Sequence, residues 1–560
     1  MARQIAGEGS SMDLQPIIEA ARENIRTVME RDGVPGVSVA LIDNGQPVWA
    51  ESFGLTDVGD KGRPIAPDTI FSLQSISKNF TATAVMLAVQ RGLLDLDRPI
   101  IDYLPDFTVH SRHERDPQSR MTLRHLLSHR AGFTHEAPIG GNWEPTFATY
   151  DAPDFDAHIA SISDTWLRYP VGDRYAYSNL GIDLAGQILA RALGTSFATA
   201  LKTLVFVPLG MTSSTADPDI YAAEGNRAIG HQPGFDRVAV KIPMQPSGGV
   251  YSSVADMTRY ALFHLGRGVL DGETILKREL WDEMHTPTFP GMPYALGVIE
   301  TKRERERGTT RRLNHNGGGF GFGSVLSYCP DQALAWVVLF NGQTRIGPPV
   351  LYEEAWAEAV LESRFGPVVA TSAPADPPVE LPREVLQPYV GSYVEGVSYL
   401  TVAWAGEALA LRMPGEAALS RLVFTGEHTA YVAEGPKASH RLTLHPAEGV
   451  KSAWIEFADP EGSGAAGGYF DFNDSNREPP GDVGDRYDEL VGPYEVIQWG
   501  QPVFQLSIEK KNGCIHIGGM RMTEHLPGLF FSSAGEALDL RGATPTMRNI
   551  LLHRRATDPA

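Results

Sequence analysis

The spacing with the most chemical content is Ser75-Ile76-Ser77-Lys78. A serine and a lysine at i and i+3 near a helix start share one face. The unpaired N–H groups of a helix N-terminus add positive potential that stabilises an alkoxide or oxyanion. The lysine can lower the proton affinity of the hydroxyl and accept or shuttle its proton. Ser-x-x-Lys is a catalytic arrangement, but two fixed residues also meet by chance. A second copy, Ser507-Ile508-Glu509-Lys510, falls on a predicted strand. There i and i+3 face opposite ways, so it is expected to be inert.

Two further segments add to the first. Tyr177-Ser178-Asn179 is the single Y-x-N among 18 tyrosines. A tyrosine acts as a general base where neighbouring cations stabilise its phenolate. An asparagine amide can orient both a lysine and a substrate. Taken alone, the segment also reads as a loop tyrosine ahead of a helix that Asn179 caps. The third segment is His315-Asn316-Gly317-Gly318-Gly319. Its glycines let a strand backbone approach a ligand and aim an N–H at a developing oxyanion. Alone it equally reads as a flexible glycine turn. His264-Leu265-Gly266 and His516-Ile517-Gly518 repeat the H-x-G pattern without the other partners.

These residues must be held by folded elements. Gly33 to Val58 reads as a hairpin, with strand formers on both sides of Asp43-Asn44-Gly45. The stretch from Phe71 to Gly92 places Phe80, Ala84, Leu87 and Ala88 at helical spacing. MTLRHLLSHRAG, from Met121, and NLGIDLAGQILARALG, from Asn179, read as helices ending at glycine. Trp336 to Phe340 reads as a buried strand and Glu353 to Arg364 as a closing helix. Phe365 to Arg383 is rich in proline and alanine without periodicity and reads as a linker. Beyond it the pattern changes to short alternating runs with turns, an all-β signature. Tyr389-Val390-Gly391-Ser392-Tyr393 is echoed by Leu490-Val491-Gly492-Pro493-Tyr494, so two related β units are expected.

The three segments in this order, serine–lysine, tyrosine–asparagine, then histidine–glycine before an apolar strand, resemble the β-lactamase-like serine hydrolases. That group comprises class C β-lactamases, D-alanyl-D-alanine carboxypeptidases, D-aminopeptidases and related esterases. LRHLLSHRAGF (Leu123 to Phe133), VPLGMTSST (Val207 to Thr215) and SGGVYSSVADM (Ser247 to Met257) fit the same resemblance. It implies an α+β fold: a catalytic domain over 14–365, with an antiparallel sheet flanked by helices plus an all-helical subdomain. A linker over 366–383 follows, then barrel-like β units over 384–475 and 486–556, a layout nearest to D-aminopeptidases. It also implies roles. Ser75 is the nucleophile, Lys78 and Tyr177 share the proton work, and Asn179, His315 and Gly317 bind substrate. The N–H groups of Ser75 and Gly318 form the oxyanion hole.

One departure matters. His315 stands where many relatives carry the lysine of K-T-G, and Asn316 offers no hydroxyl. A histidine is mostly neutral near neutral pH, so recognition of a terminal carboxylate is expected to be weak. D-aminopeptidases and several esterases of the group share an H-x-G, so with the two C-terminal β units the resemblance implies hydrolysis of a small amide or short peptide with a D-residue at its N-terminus. A carboxylesterase using the same residues is the alternative. A β-lactamase or carboxypeptidase ranks lower, and a non-catalytic scaffold last.

Composition narrows the partners. Lys+Arg 48 against Asp+Glu 68 leaves the 560-residue chain at −20, which repels nucleic acid and anionic membranes. No apolar run approaches the ~20 residues of a membrane span. Cys329 and Cys514 cannot build a disulfide framework or a four-ligand zinc site. His113-Glu114 and His135-Glu136 are isolated pairs, and His125 and His129, at i and i+4 of a predicted helix, read as structural. No metal or cofactor is expected. The first residues, MARQIAGEGSSM, lack an apolar signal core, so a cytoplasmic enzyme is expected. The long loop from Thr134 to Asp154 is expected to border the site and offer Trp143 and Tyr150 to substrate. The C-terminal units are expected either to restrict the cleft or to join copies into a homo-oligomer.

Overall fold

A computed structural model of the chain describes residues 13–59, 62–139, 154–233, 238–343, 353–369, 377–395, 398–412, 418–434, 438–446, 453–458, 468–472, 482–498 and 501–555. Trp143 and Tyr150 lie outside them, as do residues 370–376 of the linker segment.

The first body is built on a six-stranded antiparallel sheet. In chain order the strands are β1 (Gly36–Asp43), β2 (Gln46–Gly54), β3 (Ile299–Arg305), β4 (Gly308–Gly319), β5 (Phe322–Cys329) and β6 (Leu334–Phe340). They lie side by side in the order β2-β1-β6-β5-β4-β3. The Asn44-Gly45 turn joins β1 to β2 with both residues at positive φ, 49° and 70°. That is what a two-residue hairpin needs. β1 and β6 are buried along their whole length. Their alternating side chains feed two separate cores. Val37, Val39, Leu41, Trp336 and Val338 face helices α1 (Gln15–Asp32) and α6 (Glu353–Phe365). Ala40, Ile42, Val337 and Leu339 face a larger helical core. A sheet covered on both faces reads as continuous apolar runs, which explains the uninterrupted Leu334 to Phe340.

The larger core surrounds α2 (Ser77–Gln90), whose residues from Ser77 to Ala88 are all buried. A helix apolar on every side belongs in an interior. Its polar residues are satisfied there: Thr81 donates to the Pro246 carbonyl at 2.7 Å and Asn79 accepts from Tyr260 at 2.6 Å. Around it stand α3 (Leu123–Leu127), α4 (Phe155–Ser161) and α5 (Asn179–Leu193). Gly194 ends α5 in the left-handed conformation at φ 63°.

The helix expected over MTLRHLLSHRAG is shorter. Thr122 caps it, it stops at Leu127, and His129 turns away at φ 57°. His125 and His129 therefore do not share a helix face.

The C-terminal strands close into two eight-stranded barrels, from Gly391–Glu395 to Gly468–Phe472 and from Gly492–Gln498 to Ile550–Arg554. The sequence echo has one structural cause. Tyr393 donates its hydroxyl to the Tyr389 carbonyl at 2.8 Å, and Tyr494 donates to that of Leu490 at 2.9 Å. Each barrel thus begins with a buried tyrosine tied to the turn before it.

Both barrels dock on the catalytic body just ahead of Tyr177. Asp471 of the first barrel accepts from the Tyr169 hydroxyl at 2.8 Å and from Arg174 at 3.0 Å, all buried. In the second barrel, Arg168 reaches the Ala534 carbonyl at 3.2 Å and Glu536 at 3.1 Å.

Candidate functional site

Ser75 stands on a 3-10 turn, Gln74–Ile76, that runs directly into α2. Its neighbours on both sides are buried, while Ser75 itself is half-buried at the surface of the core. Lys78, in the first turn of α2, is fully buried. Its Nζ donates to Ser75 Oγ at 3.0 Å and to the Ser247 carbonyl at 2.9 Å. The i, i+3 spacing delivers the pairing expected of it, with the serine one turn ahead of the α-helix. The second copy, Ser507 and Lys510, lies on the strand Gln501–Lys511, where Lys510 pairs with Asp485 and Asp488.

The end of β4 supports the turn from the other side. A Cβ placed on Gly317 would stand 2.1 Å from the Leu73 carbonyl oxygen and 3.0 Å from the Ser75 nitrogen. Only a residue without a side chain lets this backbone lie against the serine turn. Gly318 follows, paired across to Gly323 on β5. The strand that carries the expected oxyanion donor therefore runs beside Ser75.

Tyr177 ends the segment before α5, half-buried, with Lys78 Nζ 4.9 Å from its ring centre. His129 packs against the ring at 4.4 Å and His135 stacks on it at 5.7 Å. His129 Nδ1 accepts from the Ser178 N–H at 3.2 Å, which pins the backbone beside the tyrosine. Burial, and next the Lys78 charge, push the His129 pKa well below its ordinary value, so the imidazole is neutral.

Asn179 opens α5. Its amide nitrogen donates to Glu136 Oε1 at 2.7 Å rather than sharing Lys78. Glu136 is buried and also accepts from His135 at 2.9 Å. Burial alone would raise its pKa; the nearby His135 and His158 and the Asn179 hydrogen bond hold it below the ordinary value.

His315 is buried at 4 % exposure, and both ring nitrogens are committed. Nδ1 donates to the Asn316 carbonyl at 2.8 Å, since a carbonyl can only accept. Nε2 then accepts from the Tyr294 hydroxyl at 2.9 Å. Burial first, and the Lys78 charge second, push its pKa down to about 3. His315 thus offers no positive charge. The side chain ties the strand end to Tyr294.

The structure brings Ser75, Lys78, Tyr177, Asn179, His315 and the glycines of β4 to one place. It adds residues that sequence reasoning passed over. Glu136 was set aside as half of an isolated pair, and no spacing links it to Asn179. Ser247 lies within a stretch that carries the family resemblance, its only signal, while His129 is marked by its spacing from His125 but reads there as structural. The second barrel also reaches the site. Its two-residue turn Arg548-Asn549 has both residues at positive φ, 57° and 64°. Asn549 donates to the Glu136 carbonyl at 2.9 Å. Beside it opens a cleft of about 560 Å³ bordered by Pro138, Trp166, Leu526 and Asn549.

Comparison with known proteins gives the family and the fold. The family model described as Beta-lactamase matches residues 21–361. The D-alanyl-D-alanine-carboxypeptidase/endopeptidase AmpH of Escherichia coli (strain K12) is 26 % identical over 318 residues, 55 % of this chain and 80 % of AmpH. Esterase EstB of Burkholderia gladioli is 27 % identical over 350 residues, 59 % of this chain and 84 % of EstB. The crystal structure of SurE with D-Leu superposes with a TM-score of 0.54 at 21 % identity, covering 82 % of this chain and 100 % of SurE. At that identity the likeness is one of fold.

Proposed function

Since the chain belongs to the β-lactamase family of serine hydrolases, we propose that it hydrolyses a small amide or short peptide with a D-residue at its amino end through an acyl-enzyme on Ser75. The observation that carries the reading is the half-buried Ser75 hydroxyl held 3.0 Å from the buried Lys78 Nζ, beside the glycine end of β4.

The chemistry follows from that placement. Ser75 Oγ attacks the amide carbon, and its proton passes to the Lys78–Tyr177 pair. The carbonyl oxygen gains charge against the N–H groups of Ser75 and Gly318. The C–N bond breaks as the amine leaves with that proton. Water then attacks the acyl carbon, gives a proton back through the same pair, and Ser75 is released as the hydroxyl.

Two features support an amine-ended substrate over a carboxylate-ended one. His315 is neutral and engaged on both sides, so its side chain does not supply the charge of a carboxylate-binding lysine. The buried Glu136 carboxyl places negative potential beside Asn179, which attracts an ammonium group. A relative named for D-alanyl-D-alanine cleavage favours the D configuration.

A second reading is a carboxylesterase using the same residues, favoured by the match to EstB over 84 % of that protein. Esters need less help at the leaving group than amides. The deciding experiment offers a D-alanine amide, an L-alanine amide, a p-nitrophenyl ester and a cephalosporin, with intact-protein mass spectrometry and Ser75→Ala alongside. Consumption of the D-amide with an adduct on Ser75 is expected. Turnover of the ester alone makes the protein an esterase, and full turnover by Ser75→Ala overturns the nucleophile.

A further inference from the structure

Lys78 is useful only if its Nζ is aimed at Ser75, and the aim depends on the Ser247 carbonyl. Ser247 sits in a short segment wedged between two helices. From α2, Thr81 donates to the carbonyl of Pro246 at 2.7 Å. From α5, a Cβ on Gly186 would stand 2.3 Å from the Pro246 ring, so the helix lies directly against the segment. The third tie is a charged one. The Ser247 N–H donates to Asp183 Oδ1 at 2.9 Å. His158 Nε2, from α4, donates to Asp183 Oδ2 at 2.9 Å. Both side chains are completely buried.

Burying a carboxylate and an imidazole in an apolar interior is costly unless they are paired and hydrogen-bonded. Packing alone does not call for them, because α5 is apolar elsewhere along its buried face. Their location is specific. Asp183 is one turn after Asn179, so a single face of α5 presents the Asn179 amide and the Asp183 carboxylate. His158 Nδ1 and Glu136 Oε2 are both buried without a hydrogen-bond partner among the described residues, and Glu136 is the group that holds Asn179.

We propose that Asp183 and His158 are positioning residues for acylation: Asp183, braced by His158, fixes the Ser247 peptide whose carbonyl aims Lys78 at Ser75. The proposal rests on the reading of Ser75 as nucleophile and Lys78 as its proton partner. Neither Asp183 nor His158 touches Ser75 or the substrate; they act through the Ser247 backbone.

The test uses the full chain with Asp183→Ala, Asp183→Asn and His158→Ala. Two quantities are read: turnover of a p-nitrophenyl ester and of a D-alanine amide per labelled site, and the rate at which a fluorophosphonate labels Ser75. Losing the brace lets Lys78 drift on the order of 1 Å, so Asp183→Ala is expected to lower kcat and the labelling rate about 100-fold, with KM little changed. His158→Ala, which leaves the Ser247 bond but removes its brace, is expected to lose about tenfold. Asp183→Asn keeps an oxygen for the Ser247 N–H and is expected to restore all but about fivefold. A purely structural role would lower the melting temperature and the fraction of labelled molecules, yet leave kcat per labelled site within about threefold in every variant. That result, or a rise in KM alone, overturns the proposal. Where Asp183→Ala does not fold, His158→Ala and Asp183→Asn decide by the same criterion. Ser75→Ala separates the two levels: if it is inactive while the Asp183 and His158 variants are unimpaired, only this inference falls.

Discussion

Replacing Gly317 by alanine tests the geometry at its tightest point. The added methyl would stand 2.1 Å from the Leu73 carbonyl oxygen, 2.5 Å from Ser324 Oγ and 3.0 Å from the Ser75 nitrogen. Ordinary contact begins near 3.4 Å, so β4 or the serine turn must give way by about 1.3 Å. The collision falls on backbone and on a hydroxyl already engaged: Ser324 Oγ donates to the same Leu73 carbonyl at 2.6 Å. No flexible side-chain end can absorb the shift. Overpacking of this kind costs about 1–3 kcal/mol of stability. The catalytic cost is larger, since moving an oxyanion donor by ~1 Å forfeits roughly 10²–10³ in kcat. Gly317→Ala is therefore expected to fold, with a lowered melting temperature, and to lose about 100-fold or more in kcat with KM changed far less. Gly225→Ala serves as the control, because a Cβ there meets nothing within 4 Å. The assay is turnover of a p-nitrophenyl ester together with the rate of fluorophosphonate labelling. A Gly317→Ala protein whose kcat and labelling rate stay within about threefold of the parent would refute the close packing of β4 on the Ser75 turn as a catalytic requirement.

Asn549→Gly removes the amide that holds the Glu136 carbonyl while keeping the left-handed turn. One neutral hydrogen bond is worth about 1 kcal/mol, so KM for a peptide amide is expected to rise about fivefold. Turnover of p-nitrophenyl acetate should not change; equal effects on both substrates would deny the second barrel a role in peptide binding. Acidification supplies a further test. Burial pushes the pKa of His285 and His315 down to about 3, and those of His129 and His264 well below the ordinary value. Unfolded, these imidazoles take up protons near pH ~6.5, so between there and about pH 3 the unfolded state binds more protons than the folded one. Their contribution to stability is thus complete above pH ~6.5 and is lost as pH falls, by up to about 1.4 kcal/mol per pH unit for each histidine. The urea midpoint should drop markedly between about pH 7.5 and pH 5, and a flat profile would contradict neutral burial of the four rings.

What the sequence determined by itself is what acts over a few residues. The Asn44-Gly45 turn, the Gly194 cap of α5 and the Ser75–Lys78 pairing each depend on backbone preferences or helical pitch, so spacing alone reveals them. The tyrosine repeat of the two barrels is legible for the same reason, because each hydroxyl closes onto a carbonyl four residues back. His129 shows where local reading stops: its helical spacing from His125 was plain, but the helix ends at Leu127 because tertiary packing on Tyr177 and Tyr294 takes the ring instead. The working site is decided at long range. Ser247 lies 169 residues from the lysine it aims, Glu136 43 residues from the asparagine it holds, and Asn549 413 residues from Glu136. A backbone carbonyl has no residue type, and nothing in the spacing of a buried carboxylate among 68 acidic residues tells which asparagine it meets. Such contacts exist only once α2, α5, β4 and the second barrel have packed, because it is the shared core and not local propensity that brings them within hydrogen-bond reach.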